Sequence, residues 1–382
     1  MTELAGIPIL HRHPEAFLGT SRAQAVRLLQ RLAFDANQTL SRASEKELVP
    51  ATRQRLEAIA GALKFNREVL IDLFKPLLDH ELTQSFHQVN SEALSAALAP
   101  KSDEDLNLNF ANVFRDWAWV GAETSEHLRI LNSFLPKGNL GKVLILGAGS
   151  ARLAYDLAAS RDADEIVASE INPLLFLTAK KILAGETIEL FEIAELPNSS
   201  RNAVAKRSLK KPSDALTPTT LKLVFDDFTD SNLPADHFDV VITPWFVDVV
   251  GLPLTTSAHH VNGFLKQGGS WINFGPLMFQ TASRAELLTF DEAQAVVADP
   301  PRGFELLETR SFELTQLKSD LSATFRTDQL FGWRLEKTKA SEAAKISAPE
   351  PPDYFTDLSK PITMATQLPV LDLEEIGQSH RL

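Results

Sequence analysis

The residues with the clearest chemical potential form one ordered series: Gly147-Ala148-Gly149, Glu170, Asp227-Phe228 and Asp248. Two glycines that close a strand and open a helix let a ligand reach the backbone, where the helix N-terminus offers unpaired N–H groups. Gly147 and Gly149 therefore read as a nucleotide cradle. The same residues suit a tight turn without a ligand, and the full Gly-x-Gly-x-x-Gly fingerprint is absent because the third small position is Ala151. Glu170 follows about twenty residues later, at the end of the next strand, where a carboxylate can accept both hydroxyls of a ribose. Its alternative is a charge favoured by the helix dipole ahead of Asn172-Pro173. In such a fold Asp227 can take an adenine amino group with Phe228 packed beside it, although alone the pair is no more than a turn. Thr243-Pro-Trp-Phe-Val-Asp248 comes after the fourth strand, at the carboxyl end of the sheet, where open α/β sheets place their ligands. A carboxylate inside so apolar a run must face a partner or water. Asp248 is thus the candidate for a second ligand, with helix capping as its other reading.

These residues need a sheet to position them. Val143 to Leu146 is a continuous apolar run closed by glycine, as expected of a strand buried on both faces. A helix from about Ser150 to Ser160, a strand at Glu165 to Ser169 and a helix from Pro173 continue a βαβα series. Residues 186–216 break the rhythm and read as an insertion over the sheet. The series resumes with strands at Leu221 to Phe225, Asp239 to Thr243 and Ser270 to Phe274, the last preceded by a helix reaching Leu265. Thr289-Phe-Asp-Glu292 has capping-box spacing. Gly303 to Arg310 and Gln329 to Glu336 are expected to pair antiparallel at the sheet edge. Before the sheet, three- and four-residue apolar spacing from Ser21 to about Leu98 predicts helices with no strand among them. After a polar break at Ala99-Pro100, Leu106 to Leu135 reads as one more long helical stretch carrying Arg115-Asp116-Trp117. Beyond Thr338 the Pro-rich, acidic sequence reads as a loosely docked tail.

The composition narrows the classes of partner. With 382 residues, 44% hydrophobic and 23% charged, the chain has the makings of one large α/β domain plus an extension. A formal charge of -12 opposes binding to a phosphate backbone, and Lys206-Arg207 with Lys210-Lys211 reads as a solvated loop, so no nucleic-acid partner is expected. Cysteine is absent, which excludes disulfides, thiolate metal sites and cysteine nucleophiles. His259-His260 is a weak candidate metal pair, since adjacent histidines on a helix point apart, and no metal is expected. No apolar run is long enough to span a bilayer, and Met1-Thr-Glu-Leu-Ala lacks the basic start of a signal peptide. The expectation is a cytoplasmic protein without a membrane partner, of unknown oligomeric state.

Several segments together resemble the carnosine N-methyltransferase family, in which imidazole nitrogens are methylated from S-adenosylmethionine. Val113-Phe-Arg115-Asp116-Trp117 is similar to the family's Arg-Asp-Trp, and Val143 to Ala154 to its Val-Leu-x-Pro-Gly-Ala-Gly-Leu-Gly-Arg-Leu-Ala. Phe246-Val-Asp248 resembles Phe-Ile-Asp. Gly268-Gly-Ser-Trp-Ile-Asn-Phe-Gly-Pro-Leu277 is similar to Gly-Gly-x-Trp-Ile-Asn-x-Gly-Pro-Leu, the only segment specific on its own. The helix at Asn66-Arg-Glu-Val-Leu70 and Pro197-Asn-Ser-Ser also fall where the family has counterparts, so the similarity spans about residues 50 to 338.

The resemblance implies a Rossmann-like seven-stranded methyltransferase sheet at 111–338, with insertion 186–216, a helical N-terminal region at 1–110 and a tail at 339–382. It implies S-adenosylmethionine as cofactor. Arg115 would bind the methionine carboxylate, Gly147 and Gly149 would approach its backbone, Glu170 would hold the ribose, and Asp227 with Phe228 would flank the adenine. Thr243 is also expected at the cofactor. Asp248 and Gln280 are expected at the methyl acceptor, a small imidazole-type or peptide-like nitrogen compound. The pattern departs at Leu146, where the family has proline, at Ala151, where it has glycine, and at Gln280, where it has histidine. Tyrosines that the family carries near Phe325 are missing, since this chain has none between Tyr155 and Tyr354. Two other readings use the same cradle: a non-catalytic cofactor-binding protein of this fold, and an NAD-dependent oxidoreductase, the latter weakened by the incomplete glycine fingerprint and the lack of a Tyr-x-x-x-Lys pair.

Overall fold

Proline in the first turn starts both long N-terminal helices of the computed structural model, α1 (Pro14–Ala43) and α2 (Pro50–Leu73). The structure describes residues 2–78, 106, 110–119, 121–212, 216–279 and 283–342. The break at Ala99-Pro100, Gln280 and nearly all of the tail lie outside these residues. Helix α1 buries Phe17, Ala25, Leu28, Leu29 and Leu32, an apolar stripe at helical spacing. Ahead of it the chain forms a short hairpin, β1 (Glu3–Leu4) with β2 (Ile7–Pro8). Two-residue strands carry no periodic signal, and this hairpin was not visible in the sequence.

The stretch expected as one helix before the sheet is two, α3 (Phe110–Trp117) and α4 (Glu123–Phe134). Near the break, two indole N–H groups and one carbonyl are bonded to other elements. The Trp117 indole donates to the Ser150 carbonyl (3.0 Å), the Trp117 carbonyl accepts from the Lys210 amide (3.2 Å), and the Trp119 indole donates to Glu192 (2.9 Å). Tertiary partners therefore outcompete helix continuation.

The sheet starts at β3 (Lys142–Leu146), whose apolar run is buried as expected. It continues through α5 (Arg152–Ser160), β4 (Glu165–Glu170) and α6 (Pro173–Leu183). Next come β5 (Ile188–Ile193) and β6 (Val204–Leu209), then β7 (Leu221–Phe225), β8 (Phe238–Pro244), α7 (Leu254–Phe264) and β9 (Leu265–Gly275). Helix α8 (Phe290–Ala298) opens with the Thr289–Glu292 capping box, and β10 (Phe304–Gln316) and β11 (Arg326–Lys337) follow. Seven strands form one sheet in the order β10-β11-β9-β8-β3-β4-β7. Those from β3 to β9 in it are parallel, while β11 runs antiparallel between β9 and β10. This is a Rossmann-like seven-stranded sheet of the kind expected from the sequence.

Strands β5 and β6 form a separate antiparallel pair. Buried Asn66 of α2 holds it with two 2.7 Å bonds, one to the Phe191 carbonyl and one from the Phe191 amide. Lys206 and Arg207, expected in a solvated loop, instead lie on β6, where Arg207 bonds Glu192 (2.7 Å) and Asp320. At the sheet's centre, fully buried Trp271 packs edge-on to Trp333 and donates its indole N–H to the Thr243 hydroxyl (2.9 Å), which also bonds Asn273 (2.9 Å). The Trp-Ile-Asn segment thus ties β9 to β8.

Candidate active site

Strand β3 has β4 on one side and β8 on the other, so chain order reverses beside it and a crevice opens at the carboxyl ends of the strands. A cavity of about 930 Å³ lies there. Its floor is the loop after β3, where Gly147 (φ 61°), Gly149 (φ 60°) and Ala151 (φ 62°) all adopt left-handed backbone. A Cβ on Gly147 would also stand 2.5 Å from the Phe246 ring. The left-handed φ explains the glycine that the family has at position 151. Alanine is accommodated there at a strain on the order of 1 kcal/mol.

Glu170, at the end of β4, lines the cavity with its carboxylate already oriented. One oxygen accepts from the Gly149 amide (2.9 Å), the other from the Ile171 (2.9 Å) and Asn172 (3.0 Å) amides. Burial raises its pKa, and these N–H groups oppose the shift. After β7, Asp227 gives Oδ1 to the Thr229 amide (2.8 Å) and hydroxyl (2.7 Å), while Oδ2 faces His11. Phe228 lies buried beside it, edge-on to Phe246.

The Arg-Asp-Trp triplet of α3 docks onto the same loop. Asp116 accepts from the Ser150 hydroxyl (2.6 Å) and the Arg115 Nε (2.7 Å), its carbonyl accepts from Arg152 (2.6 Å), and Trp117 reaches the Ser150 carbonyl. Arg115 lines the cavity between Asp116 and Glu123, so the ion pair with Asp116 and a place at the cavity coexist.

Thr243, expected at the cofactor, does not line the cavity, because its hydroxyl is turned into the sheet toward Trp271 and Asn273. Asp248 is also set back from it. It is buried, with Oδ2 accepting from the Met278 amide (3.0 Å) and Oδ1 without a partner. Burial raises its pKa, with the Met278 amide and the charge of Arg326 opposing and Asp328 reinforcing.

Other cavity residues gave no usable sequence signal. Asp226, next to Asp227, is pushed up to about 7 by burial. His127 is held down to about 3, by burial first and then by the charge of Arg115, so it is neutral at pH 7. Its ring packs 4.4 Å from Trp245, a residue in left-handed conformation (φ 49°). Gln316 and Arg326, register partners on β10 and β11, line the outer wall with His11 and α1 residues such as Phe17 and Gln24. Asp226, Trp245 and Arg326 adjoin segments already singled out, but nothing in their local sequence marked them as cavity residues.

Five carboxylates and three guanidinium groups line the cavity; Arg152 pairs with Asp156 (2.8 Å) and Arg115 with Asp116 (2.7 Å), which leaves Glu170, Asp226 and Asp227 against Arg326. Such a lining favours a ligand carrying positive charge. The glycine loop, a carboxylate oriented by three amides and Asp227 with one oxygen bonded to Thr229 stand together along this lining.

A family model for carnosine N-methyltransferase matches residues 101–339. The chain belongs to that family. It is similar to the carnosine N-methyltransferase of Dictyostelium discoideum, 22% identical over 322 residues that cover 75% of this chain and 68% of that one. It is also similar to the enzyme of the same description from Rattus norvegicus, 24% identical over 313 residues, 73% of this chain and 74% of that one. A solved methyltransferase from Methanosarcina mazei aligns at 14% identity with a TM-score of 0.38, covering 55% of this chain and 96% of that chain. The protein is an S-adenosylmethionine-dependent methyltransferase, and the oxidoreductase reading falls. Among the described residues no cluster of His, Asp or Glu could hold a metal, and His259 bonds Ser341 while His260 packs on Phe228. No helix among them is long and apolar enough to cross a membrane.

Proposed function

We propose that this methyltransferase acts on a ring nitrogen of a small imidazole-type or peptide-like acceptor, with a selectivity that differs from carnosine. The observation that carries the acceptor reading is buried Asp248, one oxygen fixed by an amide and the other unpartnered. An unpaired buried carboxylate oxygen is costly and is relieved by a donor such as a ring N–H. Gln280 in place of histidine, and the absence of tyrosine around Phe325, support the changed selectivity. In that part of the chain Arg326 pairs with Asp328 (3.0 Å) and stands with Gln316 at the cavity wall. A site that lacks a hydroxyl partner must grip its substrate by other contacts.

In this reading Arg115 holds the methionine carboxylate, the loop at Gly147 and Gly149 admits the methionine backbone, Glu170 takes the ribose hydroxyls, and Asp227 with Phe228 takes the adenine. When bound, S-adenosylmethionine supplies a methyl group on a sulfonium, electrophilic enough to need no metal or protein nucleophile. Asp248 lies behind the part of the cavity wall formed by Trp245 and Phe246, so the acceptor ring has to reach past them for Asp248 to accept the N–H of one ring nitrogen and fix the tautomer that leaves the other nitrogen's lone pair free to attack. That lone pair would accept the methyl carbon, with the electron pair of the C–S bond left on sulfur. The ring then sheds its N–H proton toward Asp248 and solvent. Alignment is the chain's main contribution.

The test is turnover of labelled S-adenosylmethionine with a panel of histidine, carnosine, other imidazoles and unrelated amines. An imidazole other than carnosine should react best, and Asp248→Asn should lower the rate at least tenfold with little change in cofactor affinity. Efficient turnover of carnosine refutes the altered selectivity, and no turnover of any imidazole refutes the acceptor class.

A further inference from the structure

The N-terminal segment lies outside the residues matched by the family model, yet it reaches the adenosine end of the cavity. Beyond β2 the chain runs along the free edge of β7. Ile9 pairs with Phe225, the Leu10 amide donates to the Phe225 carbonyl (2.8 Å), and the Asn232 amide donates to the Leu10 carbonyl (3.0 Å). Backbone bonds on both sides of the turn after β7 thus place His11, the next residue, against Asp227.

The hydrogen-bonding role of each His11 nitrogen follows from its neighbours. Nδ1 accepts the His13 amide (2.8 Å), so its lone pair is in use and Nε2 is the nitrogen that carries the N–H. Asp230 lies 3.7 Å from Nδ1 and Asp227 Oδ2 lies 3.8 Å from Nε2, both too far for a hydrogen bond. Phe17 backs the ring, which is largely enclosed, with 13% of the side chain exposed, and lines the cavity. The other Asp227 oxygen is occupied by Thr229. An N–H donor and a carboxylate acceptor therefore stand side by side at the cavity wall, close together but not bonded to each other.

We propose that His11 and Asp227 together read the edge of the cofactor's adenine, His11 donating to the ring nitrogen next to the amino group and Asp227 accepting from that amino group. This rests on the placement of adenosine at Asp227 given above. The amino group and its neighbouring ring nitrogen present a donor beside an acceptor, the complement of this pair. A hypoxanthine ring presents the reverse, a carbonyl oxygen beside an N–H, which opposes acceptor to acceptor and donor to donor. Sites built on such hydrogen bonds reject the reversed partner strongly because buried groups are left unpaired. His11 is thus a specificity-determining residue for the cofactor, contributed by a segment that precedes the methyltransferase sheet.

Calorimetric titration of the full chain with S-adenosylhomocysteine, 5′-methylthioadenosine and S-inosylhomocysteine tests the inference without turnover. His11→Ala should weaken the two adenine ligands about tenfold and narrow the preference for S-adenosylhomocysteine over its inosine analogue by a similar factor, about the loss of one good hydrogen bond. His11→Gln, which keeps an N–H donor, should retain part of that preference. His13→Ala, on the same segment but with an exposed side chain, should change neither. An unchanged preference in both His11 variants, or an equal loss for adenine and inosine ligands, overturns the proposal. Asp227→Asn keeps the bond to Thr229 and separates the two levels of the argument. If it weakens adenine binding while His11→Ala does not, adenosine is placed correctly and only His11 is misassigned. If neither matters, adenosine lies elsewhere.

Discussion

Replacing Asp226 by asparagine should stabilise the protein in alkaline solution and leave it little changed in acid. Asp226 is buried between β7 and the turn that carries Asp227, and burial is the main reason its pKa rises from 3.8 to about 7. The negative charges of Asp227 and Asp230 add to the shift, while the Ser231 hydroxyl and Asn232 amide oppose it. The folded state therefore binds the proton more tightly than the unfolded state. Its stabilising contribution is complete below about pH 4, declines as pH rises and is gone once pH passes through about 7. At 1.36 kcal/mol per unit, a shift of about three units corresponds to roughly 4 kcal/mol, of which roughly 3 kcal/mol is lost between pH 5 and pH 8. Asparagine cannot ionise and escapes this loss. Urea unfolding of cofactor-free wild type and Asp226→Asn at pH 5, 6, 7 and 8 measures the effect, since the difference between the two proteins cancels the titration of every other group. That difference should grow by roughly 3 kcal/mol in favour of the variant, with the steepest part below pH 7. A difference that stays constant across the series refutes the burial argument.

Glu170→Ala should weaken S-adenosylhomocysteine binding by about 1.5–3 kcal/mol, measured by calorimetry on protein shown to be folded, because the carboxylate is oriented by three amides before any ligand arrives. An unchanged dissociation constant removes Glu170 from the cofactor site. Arg115→Lys should lower cofactor affinity about tenfold or more while shifting the melting temperature only slightly, since lysine preserves the charge beside Asp116 but not the two-pronged geometry that suits a carboxylate. The reverse ordering assigns Arg115 to the ion pair alone.

The alternation of apolar strands and helices from Lys142 onward was legible because a buried parallel strand needs a continuous apolar run, and β3 shows one. The antiparallel pairing of the last two strands was legible from their proximity in sequence. Their full length was not, because Leu314 to Gln316 and Arg326 to Asp328 carry mixed polar residues whose reason for being in strand is the pairing itself. The break between α3 and α4 was hidden for a related cause, since its decisive bonds go to Ser150, Glu192 and Lys210.

Local sequence by itself determined the glycine loop, the acid at the end of the second strand and the acid–aromatic pair after the third, because each depends on a neighbouring strand end and turn. It also indicated Arg115 through a short motif. Tertiary structure alone decided that Thr243 turns into the sheet, that Asp248 lies behind the cavity with one free oxygen, and that Asp226 is buried enough to hold a proton near neutrality. It alone brought His11 beside Asp227, through backbone pairing along the β7 edge. Hydrogen bonds to backbone atoms are made without regard to side-chain identity, so nothing in the residues around His11 could announce its partner.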